Sequence, residues 1–122
     1  MAKSLKLIIN DEHFTALLND NRTVEDLLKM LPMELTLRRY AQHEYYSSLP
    51  KKPSIKSVPM TSDAYAGGLY YYDGWSAFTV LFDDAQIAPY EVVHLGDVNE
   101  EIISTLAASG DTVKVILEAL DI

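Results

Sequence analysis

The stretch AGGLYYYDGWSAFTVLFDDAQIAPYEVVHLGDV, from Ala66 to Val98, decides the fold. A strand is expected over Tyr65 to Tyr72 and another over Ala77 to Phe82, with Asp73-Gly74-Trp75-Ser76 between them. An Asp-Gly pair joining an aromatic run to an apolar one predicts a hairpin, because glycine tolerates positive φ. Asp83-Asp84 ends the second strand. A third follows over Tyr90 to Leu95, and Gly96 permits the bend that closes it against a neighbour. Three strands so closely spaced read as the second half of a small closed barrel.

The flanking sequence supplies the rest. Leu5, Leu7 and Ile9 alternate with Ser4, Lys6 and Ile8, the period of a half-buried strand. Asn10-Asp11-Glu12 has turn chemistry, and His13 to Leu18 returns as the partner of a hairpin. Thr23 is expected to cap a helix, with Asp26 as an acidic capping-box residue. Val24, Leu27, Leu28 and Leu31 form its apolar face, and Pro32 ends it. Alternation resumes over Met33 to Tyr40, with a short strand over Glu44 to Ser47. Pro50, Pro53 and Pro59 mark residues 48–63 as a surface loop that contributes little to core packing. Asn99-Glu100-Glu101 opens a second helix, its acids at the positive end of the dipole, with Ile102, Ile103, Leu106 and Ala107 inward and Gly110 as the stop. A last strand sets Val113, Val115, Leu117 and Ala119 opposite Thr112, Lys114, Ile116 and Glu118.

The reading is a mainly β chain: a closed or nearly closed barrel of about eight strands with two short helices, in one domain over residues 1–122. Closing a sheet removes its edges, and helices can plug the openings. A half-open α+β roll is the competing architecture.

Composition narrows the chemistry. There are no cysteines among the 122 residues, which excludes thiolate metal sites and thiol catalysis. The formal charge of −8 repels polyphosphates, so nucleic acid is not expected as a partner. Lys51, Lys52 and Lys56 read as a solvated, proline-rich loop. The short apolar run after Lys3 and Lys6 ends at Asn10, too soon for a secretory signal or a membrane span. A soluble, cytoplasmic protein is the expectation.

The order of elements resembles the cyclophilin barrel, and more specifically a small bacterial cyclophilin-like family of about this length. The matching pieces span nearly the whole chain: the hairpin turn Ile9-Asn10-Asp11; Thr23, Leu27, Leu28, Leu31 and Pro32; Glu44-Tyr45 before Leu49-Pro50; Ala66-Gly67-Gly68-Leu69; and Leu95-Gly96 with Val98. Gly68 stands where that family usually has aspartate, so any binding or pinning role of the carboxylate is lost here. Peptidyl-prolyl isomerases of this fold use an arginine near a Phe-His pair and a glutamine ahead of a Gly-Gly. Here Arg38 and Arg39 have no Phe-His partner, and Asp63 to Ala66 supply no glutamine before Gly67-Gly68. The resemblance implies the fold without carrying the activity.

Other constellations fail on geometry. His43-Glu44-Tyr45-Tyr46-Ser47 starts like a zinc-protease motif but has serine where the second histidine is required. His13, His43 and His94 read as separate solvated or core histidines. His94 sits beside Val92, Val93 and Leu95, with an outward, exposed position favoured over an inward one. Asp83 and Asp84 point to opposite faces. Ser62, Ser76 and Ser104 lack a nucleophile elbow. No catalytic residue, metal ligand or cofactor is assigned.

What remains is aromatic. Tyr65, Tyr70, Tyr71, Tyr72 and Trp75 can give a contact surface, with Tyr70 and Tyr72 on one strand face and Tyr71 on the other. The candidate groove comprises Tyr70, Tyr71, Tyr72, Trp75, His94 and Arg38. The expected function is a non-catalytic module binding a peptide or small molecule. The alternative is a weak peptidyl-prolyl isomerase using Arg38 or Arg39, and a third reading makes the tyrosine face a homo-oligomer interface.

Overall fold

Leu5, Leu7 and Ile9 are fully buried and lie on the first strand, β1 (Lys3–Ile9). β2 (Glu12–Leu18) pairs with it antiparallel, Ile9 opposite Glu12. The two residues between, Asn10 and Asp11, both have positive φ, at 52° and 66°. That turn twists with the strands it joins, and short polar side chains tolerate the left-handed region. The chain is seen in a computed structural model that describes residues 3–99 and 101–120.

The helix α1 (Arg22–Leu28) begins two residues earlier than expected, because Asn21 and not Thr23 is its cap. The Asn21 side chain accepts from the Val24 amide at 2.9 Å. Thr23 instead donates to the Ser54 carbonyl at 2.7 Å, and Asp26 accepts from the Ser54 amide at 2.8 Å. Thr23 and Asp26 therefore clamp the proline-rich loop, a tertiary role that displaces the expected capping box. That loop also feeds the core. Leu49 is buried in it, and Ile55, Val58 and Met60 pack against it. Hydrophobic side chains spaced between prolines reach inward although the backbone runs over the surface.

β3 (Met33–Tyr40) and β4 (Glu44–Ser48) follow as a hairpin. Next come β5 (Asp63–Ala64) and β6 (Gly68–Tyr72). A single 3-10 turn, Asp73–Trp75, leads into β7 (Ala77–Leu81). The positive φ of this connection falls on Ser76, at 49°, and not on the expected glycine. Gly74 is needed for space: a Cβ there would lie 2.8 Å from the Tyr72 ring. β8 (Ala85–Gln86) pairs with β5 in a separate two-stranded sheet. β9 (Val93–Val98) starts and ends three residues later than the expected strand. The helix α2 (Glu101–Ala107) precedes β10 (Thr112–Leu120). Glu100 of the expected helix start lies outside the described residues.

Eight strands close into a barrel in the order β1-β10-β3-β4-β7-β6-β9-β2. Val24 and Leu27 of α1 and Ile102 and Leu106 of α2 join the same core as Leu5, Leu37, Phe78 and Val115. Tyr45 crosses that core, its hydroxyl 2.6 Å from the Gly110 carbonyl beyond the end of α2. The open roll is thus excluded.

Closure depends on a bulge in β9. Leu69 faces Gly96 and Tyr70 faces His94, so Leu95 has no partner across the ladder. Its side chain is fully buried, and its carbonyl accepts from Asn19 at the end of β2 at 2.8 Å. An extra residue of this kind bends a strand and sharpens its twist. Gly96 lets β2 approach: a Cβ there would meet the Leu17 carbonyl oxygen at 2.3 Å.

Candidate functional site

Strand β7 is buried at every position, Ala77 to Leu81. Phe78 and Val80 face the barrel core, while Ala77, Thr79 and Leu81 face outward under a second layer. The chain from Thr61 to Ala64 and from Ala85 to Val92 forms that layer. The Thr61 and Val92 backbones exchange hydrogen bonds at 2.9 Å each way, and Ser62 Oγ donates to the Tyr90 carbonyl at 2.7 Å. Gln86 Nε2 donates to Asp63 at 2.6 Å. Ala64, Tyr70, Leu81 and Val92 make a small second core beneath this flap.

Between the flap and strands β3, β4, β6 and β7 lies a groove of about 460 Å³. Tyr40, Tyr72, Trp75 and Tyr90 form its aromatic wall, and Ala77, Thr79 and Leu81 contribute from β7. Trp75 is 53% exposed, Tyr90 61% and Tyr40 47%, so the rings border open solvent. Each contacts the next edge to face: Tyr40 with Trp75 at 6.1 Å, Trp75 with Tyr72 at 5.5 Å, Tyr72 with Tyr90 at 6.1 Å. Such pairs hold their geometry through ring quadrupoles.

His43 and Glu44 add polarity, with Nε2 to Oε1 at 3.0 Å. Glu44 faces Tyr40 on one neighbouring strand and Leu81 on the other. Burial among these groups raises its carboxyl above the ordinary value, and the His43 charge and hydrogen bond oppose that rise. Among the described residues, no group of three His, Asp or Glu side chains gathers as a metal-binding set.

The expected site residues separate. Tyr70, Tyr72 and Trp75 line the groove. Tyr71 does not: it is fully buried in the barrel core on the other face of β6, its hydroxyl 3.2 Å from Asp73. Burial raises the hydroxyls of both Tyr70 and Tyr71. His94 is part-exposed and lies outside the groove, stacked on Tyr70 with centroids 5.0 Å apart and 3.0 Å from Asp97. Arg38 is exposed on β3 opposite Tyr46, two residues before the groove residue Tyr40 on the same strand, and it does not itself line the groove. Tyr65 is exposed, and its amide donates to the Tyr70 hydroxyl at 3.0 Å. Tyr40, His43, Glu44 and Tyr90 were not singled out as groove residues by sequence. Tyr40 and Glu44 flank a three-residue connection whose two strands were each expected, and their cross-strand pairing is the signal that could have found them.

Gly68 has a local explanation. A Cβ there would collide with the Tyr70 ring, so that ring fills the space over this position.

A closed eight-stranded barrel with two buried-face helices and an outer aromatic groove defines a class of small β-barrel proteins. Within that class, the chain belongs to the cyclophilin-like family, which it matches over residues 7–118. It is similar in fold to a hypothetical protein from Archaeoglobus fulgidus known from a solution structure. The TM-score is 0.63 at 18% identity, covering 96% of this chain and 94% of that one. No curated protein matches the chain.

Proposed function

We propose that the protein is a non-catalytic binding module that takes a peptide segment or small molecule in the outer groove. The observation that carries this reading is the set of exposed rings around a 460 Å³ recess whose floor is already packed. Aromatic side chains supply large contact area at low entropic cost, and recesses of this size suit small ligands. A titration of peptide and metabolite libraries, read by the fluorescence of the single tryptophan, Trp75, tests it. Saturable responses are expected, with Trp75→Ala weakening binding roughly tenfold or more, as truncating an aromatic anchor does. Silence across the libraries would overturn the reading.

Weak prolyl isomerisation competes with it and needs Arg38 or Arg39 as donor to the amide nitrogen. Arg39 is engaged elsewhere: Nη1 donates to the Ser109 carbonyl at 3.1 Å, and the guanidinium lies 4.7 Å from the Phe82 ring centre. Arg38 is exposed beside Tyr46, outside the groove. A protease-coupled proline-peptide assay on wild type, Arg38→Ala and Arg39→Ala separates the readings. Rates equal to blank in all three favour the binding module, and turnover lost in one arginine variant favours the enzyme.

A further inference from the structure

The groove carries a charge signature that its aromatic content alone does not. Its lining includes one carboxylate, Glu44, with His43 beside it and neither lysine nor arginine, on a chain of formal charge −8. Successive rings stand nearly perpendicular: Tyr40 to Trp75 at 77°, Trp75 to Tyr72 at 80°, Tyr72 to Tyr90 at 86°. Rings set at right angles present their electron-rich faces in more than one direction, one requirement for holding a cation between them.

We propose that the occupant of this groove is an organic cation whose alkylated ammonium head sits among Tyr40, Tyr72, Trp75 and Tyr90, its charge answered by Glu44. The inference rests on the binding-module reading and narrows its ligand. Alkylation follows from hydrogen-bond supply. A primary ammonium brings three donors and loses free energy wherever desolvation leaves one unmatched. Thr79 and Gln86, the neutral polar side chains of the lining apart from the tyrosine hydroxyls, already hold hydrogen-bond partners. Thr79 Oγ1 donates to the Tyr70 carbonyl at 3.2 Å. Gln86 bonds Asp63 through Nε2 and the Ala88 amide through Oε1, both at 2.6 Å. Glu44 Oε1 faces His43, and Oε2 has no hydrogen-bond partner among the described residues. One open carboxylate oxygen beside four rings suits a charge without N–H donors, or with one.

That head group occurs on free choline-like molecules and on methylated lysine side chains. The test titrates the full-length protein with choline, with choline's neutral tert-butyl isostere, and with a peptide carrying trimethyl-lysine or unmodified lysine. Calorimetry gives affinities, and the Trp75 indole NMR signal locates the site. Choline, or the trimethyl-lysine peptide, is expected to bind about tenfold more tightly than its uncharged or unmethylated counterpart. Trp75→Leu should shrink that preference to about twofold, and Glu44→Gln should weaken the cation while sparing the isostere. Preference for choline identifies a small-molecule source, and preference for the methylated peptide a protein one. Equal or tighter binding of the isostere overturns the cation inference and leaves the groove a general apolar site. Cations that fail where other library members bind do the same. Failure of every ligand instead removes the binding-module reading itself.

Discussion

Gly68 and Tyr70 form the most specific residue pair of the outer wall. The Tyr70 ring is held above Gly68 by the stacked His94 ring and by the Tyr65 amide, so it cannot swing aside freely. Gly68→Ala is expected to cost about 1–3 kcal/mol by overpacking. Chemical denaturation measures this, and the loss should shrink when Tyr70 is also Leu, with a coupling of about 1 kcal/mol or more. Strictly additive effects would refute the contact. Glu44 makes a second prediction. Burial raises its carboxyl above 4.5, so the folded protein keeps a proton that the unfolded chain has released. Wild-type stability from this group is therefore complete below that value and declines as pH rises through the higher folded one. Glu44→Gln cannot titrate. Its stability relative to wild type should be flat at low pH and grow across the window, as followed by urea unfolding at several pH values. A difference independent of pH would contradict the burial of the carboxylate.

Among the elements, β9 does the most unusual work. Its bulge puts Leu95 into the core and brings Gly96 against the backbone of β2. Gly96→Ala is expected to destabilise by about 2–3 kcal/mol, at the upper end of overpacking costs, because its neighbour is backbone and cannot rotate away. Thermal unfolding checks this, and an unchanged midpoint would mean that β2 lies farther off. How far an element was legible depended on what covers it. β1, β3 and β10 have one wet face, so their alternation was plain in Leu5-Leu7-Ile9, Leu35-Leu37 and Val113-Val115-Leu117. β6 and β7 lie between the core and the flap, which replaces alternation with unbroken apolar runs and hides which ring faces which side. The two-residue β5 and β8 are too short for any periodicity, and without them the groove has no outer wall. Asn21 and Thr23 are both able caps. Only the distant Ser54 carbonyl, which takes the Thr23 hydroxyl, decides between them.

At the scale of the molecule, a ring of strands is as strong as its shortest seam. β1 meets β2 over seven residue pairs and β10 over six, whereas β2 meets β9 over three; β3 and β4 also share three, but a three-residue turn joins them. Hydrogen exchange should therefore release the amides between Ala16–Leu18 and Gly96–Val98 before those shared by β1 and β10. The reverse order would place the weak seam elsewhere. Neighbouring residues of β6 look in opposite directions, Tyr71 into the sealed interior and Tyr70 toward the groove. One partition thus serves two rooms, and whatever is lodged on its outer side braces the inner one. A tight guest would raise the melting point of the whole barrel, and softening the interior at Tyr71 would loosen the guest's hold without touching it.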